Sequence, residues 1–205
     1  MHNKRSLIRR TAAVAAAAAA ALVLAACGDG SAGHDGHVTK SPSASAPASQ
    51  GQHNAADVAF AQGMIPHHRQ AVEMADLAPS RAASAQVKKL AEDIKKAQGP
   101  EIKTMSGWLT SWDEEVPAEG AMDHSMHSAG GMMTAEEMGQ LKDSSGKAFD
   151  TAFMEMMIKH HEGAVAMART EQADGAYGPA KRMAGAIITS QTAEITQMNK
   201  LLGKD

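Results

Sequence analysis

The sequence predicts an all-α protein, a four-helix bundle built from two repeated helical hairpins behind a flexible N-terminal tether. Residues 57–109 align with residues 150–202 at a constant offset of 93, and 20 of the 53 aligned pairs are identical. Within each unit, apolar residues recur every three or four positions, as they do on one face of a helix. No segment shows a convincing alternating strand pattern. Because a helical hairpin cannot bury its apolar face alone, we expect the two units to pack together.

The N-terminal 26 residues have the pattern of a bacterial lipoprotein signal peptide. Basic residues precede an uncharged, alanine-rich run from Thr11 to Ala26, which is short for a membrane span. Two small residues then stand directly before Cys27, the single cysteine of the chain. This pattern predicts cleavage before Cys27 and lipidation of Cys27. The protein would then be extracytoplasmic, held by a lipid anchor on the outer face of the cell membrane. The alternative is an ordinary signal peptide with a chance cysteine.

The next segment, residues 27–52, is predicted to be the lipidated cysteine followed by a disordered linker. It is rich in Gly, Ser, Ala and Pro and has few large apolar residues. Such a segment cannot bury enough apolar surface to offset its ordering entropy. The folded four-helix domain is therefore expected at residues 53–205.

The first repeat unit, 57–109, is predicted to contain two helices. The first would bury one continuous seam of side chains, consisting of Phe60, Met64, His67, Ala71 and Met74. Pro66 lies inside this helix, directly before His67, and predicts a bend, since proline removes a helical hydrogen bond. Pro79 and Ser80 predict the end of this helix, with Ser80 capping the next. Gly99-Pro100 predicts an interruption of the second helix.

The connection, residues 110–149, and the second unit, 150–202, complete the prediction. Thr134-Ala-Glu-Glu137 is a capping-box pattern, so a short helix is expected near 135–142. The second unit repeats the buried seam of the first. The segment 175–179 then separates its two helices, and the last helix runs through Leu202.

A pattern of Met-x-x-His-His occurs once in each unit, and it predicts a metal site. On a helix, the methionine lies one turn from both histidines, and inward packing of the two seams would bring four imidazoles together. Buried imidazoles need partners, and a metal ion would supply them. The predicted ligands are Met64, His67, His68, Met74, Met157, His160, His161 and Met167. A mixed thioether and imidazole set favours copper, preferentially Cu(I).

Further Met and His residues form a candidate auxiliary metal site. Its members are Met122, His124, Met126, His127 and Met156. A solvated loop is the alternative interpretation of the cluster in the connection. Methionines at helical spacing are, in turn, often core filler, and this applies to Met74 and Met167.

The repeated motif Asp-x-x-Phe-x-x-x-Met-Ile-x-His-His-x-x-Ala-x-x-Met-Ala, with Gly131-Met132-Met133-Thr134 between its copies, resembles the domain-of-unknown-function family 305. The resemblance covers about residues 53–203. It implies a ferritin-like four-helix bundle, export from the cytoplasm and, for some relatives, periplasmic copper binding and copper resistance. It also implies a metal-binding role for the eight motif Met and His residues.

These patterns predict an exported, lipid-anchored protein that binds copper for sequestration, resistance or delivery. No catalytic motif is found, so we do not expect an enzyme. The net charge of −3 does not favour a nucleic-acid partner, whereas a metal-transfer protein is a candidate partner. One alternative is a non-catalytic structural or partner-binding bundle. A ferritin-like iron protein or a haem protein is a weaker alternative, because no Glu-x-x-His and no Cys-x-x-Cys-His occurs.

Overall fold

The computed structural model of the protein describes residues 51–119 and 130–204. Its five helices are α1 (Ala55–Arg81), α2 (Ala85–Ser111), α3 (Ala135–Asp143), α4 (Gly146–Asp174) and α5 (Gly178–Leu202). The prediction of an all-α bundle is confirmed. The predicted signal peptide, Cys27 and nearly all of the tether lie outside the described residues, as do Met122, His124, Met126 and His127. Within the described ranges, no helix is long and apolar enough to span a membrane.

The helices form two antiparallel hairpins, α1–α2 and α4–α5, which pack against each other through α1 and α4. The start of α1 lies at the end of α4, where the Asn54 side chain donates to the Asp174 carbonyl at 2.9 Å. The short helix α3 lies in the connection and contacts both α1 and α4. Helices α1 and α4, which carry the paired histidines, are therefore the central elements of the bundle.

Local capping explains where two of the helices begin. Asn54 and Asp57 form a capping box at the start of α1, and Thr134 and Glu137 form one at the start of α3. Each box satisfies backbone N–H groups that have no partner inside the helix. The prediction of a short helix after Thr134 is thereby confirmed.

Two predicted helix boundaries are wrong. Helix α1 continues past Pro79 to Arg81, and Ser84 rather than Ser80 caps α2. The cause is a tertiary contact, because the Asp150 carboxylate accepts the backbone N–H groups of Ala83 and Ser84 and holds the turn there. Helix α2 also runs without interruption through Gly99 and Pro100. Its buried residues on either side of Pro100 hold it against the bundle.

Helix α1 is continuous through Pro66. The neighbouring side chains of Met64 and Ile65 are fully buried, and their packing offsets the hydrogen bond that proline removes. The bend of α1 at Pro66 stays a prediction.

The apolar core consists of two clusters, which differ in their place along the bundle. One contains Ala71 to Ala78 of α1, Met138 and Leu141 of α3, and Phe149 to Met157 of α4. The other contains Phe60 to Ile65 of α1 and Ala164 and Ala168 of α4. Residues of α2 and α5 complete both clusters. Along α1 and α4, the paired histidines lie between the two clusters.

The two hairpins hold each other by equivalent contacts at their turns. Asp150 accepts from the backbone of Ala83 and Ser84 at 3.1 and 2.9 Å. Asp57, its equivalent in the first unit, accepts from the backbone of Ala176 and Tyr177 at 3.2 and 2.9 Å. Because the contacted positions also differ by 93, the sequence repeat corresponds to an approximate two-fold symmetry of these contacts.

Candidate metal centre

A layer of buried polar side chains crosses the middle of the bundle and separates the two apolar clusters. We call it the polar layer. Its members are His67 and His68 of α1, Gln98 of α2, His160 and His161 of α4, and Gln191 of α5. None is more than 3% exposed. Every member has its equivalent at the repeat offset, so both units contribute the same three residues.

His67 and His160 face each other across the contact between α1 and α4. Their ring centroids are 3.7 Å apart and their planes are inclined by 44°. Neither Nδ1 nor Nε2 of either ring has a hydrogen-bond partner. A buried polar atom without a partner is unfavourable, and such atoms are rare in folded proteins. The two rings therefore present four unpartnered nitrogens in one place.

The surroundings keep these two rings neutral. Burial, followed by repulsion from His68, lowers the pKa of His67 to about 3. The backbone of Gly130 opposes this slightly, although it does not reach hydrogen-bond geometry with the ring. Burial and the neighbouring His67 likewise place the pKa of His160 well below its usual range. A neutral imidazole has a free lone pair on one ring nitrogen, which is the form that binds metal ions.

The second histidine of each pair is oriented differently. The Nε2 of His68 lies 2.8 Å from Oε2 of Glu101, and the Nε2 of His161 lies 2.6 Å from Oε2 of Glu194. The Nδ1 atoms of both rings remain buried and without partners. The structure thus brings two of the four predicted imidazoles into contact as a tilted pair and turns the other two toward carboxylates. Among the described residues, no three His, Cys, Asp or Glu side chains form a ready-made metal cluster.

The predicted methionine ligands lie on both sides of the polar layer. Met64, Met74 and Met157 are fully buried. Met64 belongs to one apolar cluster, whereas Met74 and Met157 belong to the other. By helix geometry, Met64 and Met157 lie one turn before His67 and His160. These two thioethers are therefore placed one on each side of the layer.

Met167 and Met156 are only partly buried. Met167 packs against the cluster that contains Met64, and its Sδ lies 3.6 Å from the position that a Cβ on Gly63 would occupy. Met156 packs against the other cluster. Both side chains therefore contribute to packing.

Residues 130–134, here called the strap, cross α4 beside the histidine pair. A Cβ on Gly163 would lie 1.6 Å from the Gly130 carbonyl oxygen, and one on Gly131 would lie 2.4 Å from the Lys159 carbonyl oxygen. Only glycine permits such close backbone contact. The Gln70 side chain fixes the strap to α1, donating to the Met133 carbonyl at 2.8 Å and accepting from its N–H at 2.7 Å. The strap thus covers the α4 turn that contains His160.

Four polar residues of this region were not among the predicted site residues. They are Gln98, Glu101, Gln191 and Glu194. The sequence could have indicated them, because the two glutamines and the two glutamates are identical at the repeat offset of 93. Helix packing alone would preserve only the apolar positions. That identity marked them as repeated but did not show which side chains they face.

The donor atoms present fit a soft metal ion. Imidazole nitrogens without partners lie between buried thioethers, and this combination suits Cu(I) better than a hard cation that prefers oxygen ligands. The unpartnered nitrogens of His67 and His160 are the observation that favours such an ion.

The fold and this layer define a class of protein, a two-hairpin helical bundle with paired histidines buried at its centre. Residues 57–202 match the model of the family described as Domain of unknown function (DUF305). The chain belongs to this family, and the resemblance seen in the sequence is confirmed.

Solved structures of similar proteins share the fold. A DUF305 protein from Streptomyces coelicolor is 34% identical, with 73% of this chain and 91% of that chain covered and a TM-score of 0.66. A DUF305 fragment from Deinococcus radiodurans is 29% identical, with 74% and 98% covered and a TM-score of 0.66. CopM in its Cu(I)-bound form is 33% identical, with 71% and 94% covered and a TM-score of 0.60. CopM structures with Cu(II) and with silver are also similar. No functionally curated protein matches the chain.

Proposed function

We propose that this protein is a non-catalytic copper-binding protein that sequesters or delivers Cu(I) or provides resistance to it. The observation that carries the proposal is the pair of facing, neutral imidazoles of His67 and His160, whose ring nitrogens have no partner. A metal ion between them would satisfy atoms that the folded chain leaves unsatisfied.

The choice of Cu(I) rests on the thioethers and on the relatives. Met64 and Met157 are buried and one helical turn from the facing histidines. Thioether sulfur favours soft ions such as Cu(I) over hard cations. CopM, which is similar in fold and sequence, has been solved with Cu(I), Cu(II) and silver.

We assign the ligands in order of their support from the geometry. His67 and His160 come first, followed by Met64 and Met157 on either side of the polar layer. His68, His161, Met74 and Met167 complete the proposed set. Met122, His124, Met126, His127 and Met156 remain a proposed auxiliary site.

We propose that the protein acts outside the cytoplasm, attached to the cell membrane by a lipid on Cys27. The support is the sequence pattern around Cys27 and the similar Streptomyces coelicolor protein, which is described as secreted. Its partners would be the metal ion, the membrane and a protein that delivers or receives copper.

The test is a competition titration of the full-length protein with Cu(I) under anaerobic conditions, and with Ag(I) as a redox-silent substitute. We expect H67A/H160A to lose at least about 100-fold in affinity for both ions. Residues that only hydrogen-bond to a ligand change affinity by about 10–100-fold, and loss of the ligands themselves should cost more. A second variant, H67L/H160L, fills the layer with apolar side chains and guards against unfolding. H53A is the matched control, because His53 stacks on Trp112 away from the polar layer.

Two results would contradict the proposal. One is unchanged affinity in a folded H67L/H160L protein, which would place the site elsewhere. The other is absence of Cu(I) and Ag(I) binding by the wild type. In that case the alternative function, a structural or partner-binding bundle, would be favoured, because two of the four histidines already have protein partners.

A further inference from the structure

Each hairpin contains a glutamate that contacts the second histidine of its own Met-x-x-His-His motif. Glu101 lies 33 residues after His68, and Glu194 lies 33 residues after His161, with oxygen–nitrogen distances of 2.8 and 2.6 Å. The histidine side chains are fully buried, whereas the glutamates are 23% and 19% exposed. The carboxylates therefore lie at the rim of the polar layer and reach inward to the rings.

These contacts determine which nitrogen of each ring has a free lone pair. A carboxylate oxygen can only accept in such a contact, so Nε2 carries a hydrogen, and a ring with one hydrogen has it there and not on Nδ1. The lone pair then resides on Nδ1. In both rings the Nδ1 atom is buried and has no hydrogen-bond partner.

We propose that Glu101 and Glu194 are positioning residues of the copper site. Each holds one histidine in the tautomer that leaves its buried Nδ1 atom free to act as a ligand. The inference rests on the proposed copper binding and adds two residues to it. A carboxylate hydrogen-bonded to a ligand histidine also increases the basicity of that ligand, which strengthens binding.

The simpler explanation is that each histidine–glutamate contact only holds two helices together. Two observations disfavour this explanation. A contact that only holds two helices together needs the Nε2 atom alone. It does not account for the two buried Nδ1 atoms without partners, each of which is unfavourable. The arrangement is also reproduced in both units with the same 33-residue spacing, although the surrounding helices α2 and α5 differ at most other positions.

The test compares the full-length wild type with E101A/E194A and with E101Q/E194Q. The glutamine variant retains an oxygen that accepts from Nε2 but lacks the negative charge. E92A is the matched control, since Glu92 is an exposed residue of α2 that pairs with Lys96. Two quantities are measured for each protein: the Ag(I) dissociation constant, and the histidine ring ¹⁵N chemical shifts without metal, which report the tautomer.

We expect E101A/E194A to bind Ag(I) about 10–100-fold more weakly than wild type, E101Q/E194Q to recover part of that loss, and E92A to match wild type. In the metal-free protein, His68 and His161 should show hydrogen on Nε2, and E101A/E194A should show mixed tautomers. Affinity within twofold of wild type in a folded E101A/E194A, beside a loss in H67A/H160A, would overturn this inference and leave the proposed function intact. Absence of Ag(I) binding by the wild type would overturn both.

Discussion

Glu171 is a buried side chain that the repeat does not duplicate, since position 78 is alanine. It is 1% exposed, and neither carboxyl oxygen meets a hydrogen-bond donor. Burial, followed by interaction with Asp57, raises the pKa of Glu171 to about 8. Burial also tends to raise the pKa of Asp57, but backbone N–H groups of Asn54 and Tyr177 outweigh it and hold that pKa below its usual value. Glu171 is therefore the protonated member of the pair and can donate to Asp57.

This pair predicts a pH dependence of stability. In the unfolded chain a glutamate has a pKa of about 4.3, so the folded protein binds one proton more than the unfolded protein between that pH and about 8. The stabilisation by this proton is complete at low pH and is lost as the pH rises through the folded pKa. Relative to E171Q, which stays neutral, the unfolding free energy of wild type should fall by up to about 1.4 kcal/mol per pH unit in this range.

Urea unfolding at several pH values between 5 and 9 measures this difference. E155Q is a suitable control, because Glu155 is an exposed residue of the same helix that pairs with Lys204. Parallel pH profiles of wild type and E171Q would show that Glu171 is ionised in the folded protein.

For the histidines, the sequence predicted which residues belong to the site but not how their rings are oriented. The pairs His67-His68 and His160-His161 are conspicuous because a repeat preserves them where packing requires no polar residue. Neighbouring helix positions point about 100° apart, so only one member of each pair can face the opposite hairpin. Which member does so depends on how α1 packs against α4, and no local pattern encodes that.

At the scale of the elements, the strap is held in place by one close backbone contact and one hydrogen-bonded side chain. Gly163 of α4 leaves room for the Gly130 carbonyl, and Gln70 of α1 holds the Met133 backbone with two hydrogen bonds. Salt bridges from α3 reach both central helices, with Lys142 bonded to Glu73 and Glu137 to Lys159.

Gly163→Ala should displace the strap. Its new methyl group would lie 1.6 Å from the Gly130 carbonyl oxygen, and relief of such a clash is expected to lower the unfolding free energy by about 1–3 kcal/mol. The amide hydrogen of Met133 should also exchange faster with solvent. Gly107→Ala is the control, since nothing lies within 4 Å of its Cβ position in α2, and alanine there should stabilise the helix by up to about 1 kcal/mol. Equal behaviour of the two variants would mean that the strap does not press on α4.

Helix existence was predictable from periodicity, whereas helix ends depended on contacts distant in sequence. The capping box at Thr134 is local and was identified correctly. The turn after α1 is instead fixed by Asp150, which lies 66 residues after Ser84. Prolines at 79 and 100 are strong local breakers, yet packing against the bundle overrides both.

At the scale of the whole molecule, Asp57 and Asp150 tie the two hairpins together at opposite ends of the bundle. Asp57 lies in the first turn of α1, and Asp150 contacts the turn that follows this helix. The rise of about 1.5 Å per helical residue from Asp57 to Arg81 therefore separates the two contacts by about 36 Å. Such separated sites are expected to contribute independently to stability.

A double-mutant cycle tests this independence. D150A should lower the unfolding free energy by about 1–3 kcal/mol, because it removes a charged acceptor from two backbone N–H groups. The effects of D57A and D150A should add to within about 0.5 kcal/mol in the double variant, as measured by urea unfolding. D143A, an exposed aspartate at the end of α3, should change stability by less than about 0.5 kcal/mol. A larger coupling energy would show that the hairpins respond to each other along the whole bundle.

The polar layer has a consequence for the lifetime of the protein. All ring nitrogens of the layer except the Nε2 atoms of His68 and His161 lose water on folding and gain no partner. The metal-free bundle is therefore less stable than its apolar core alone would make it. Under the proposed function, a metal ion that binds in the layer binds the folded chain and not the unfolded chain, so it raises the free energy of unfolding. Since proteases cleave transiently opened chains, the loaded form should outlast the empty form. The abundance of the protein would then follow the local supply of metal without any change in its synthesis.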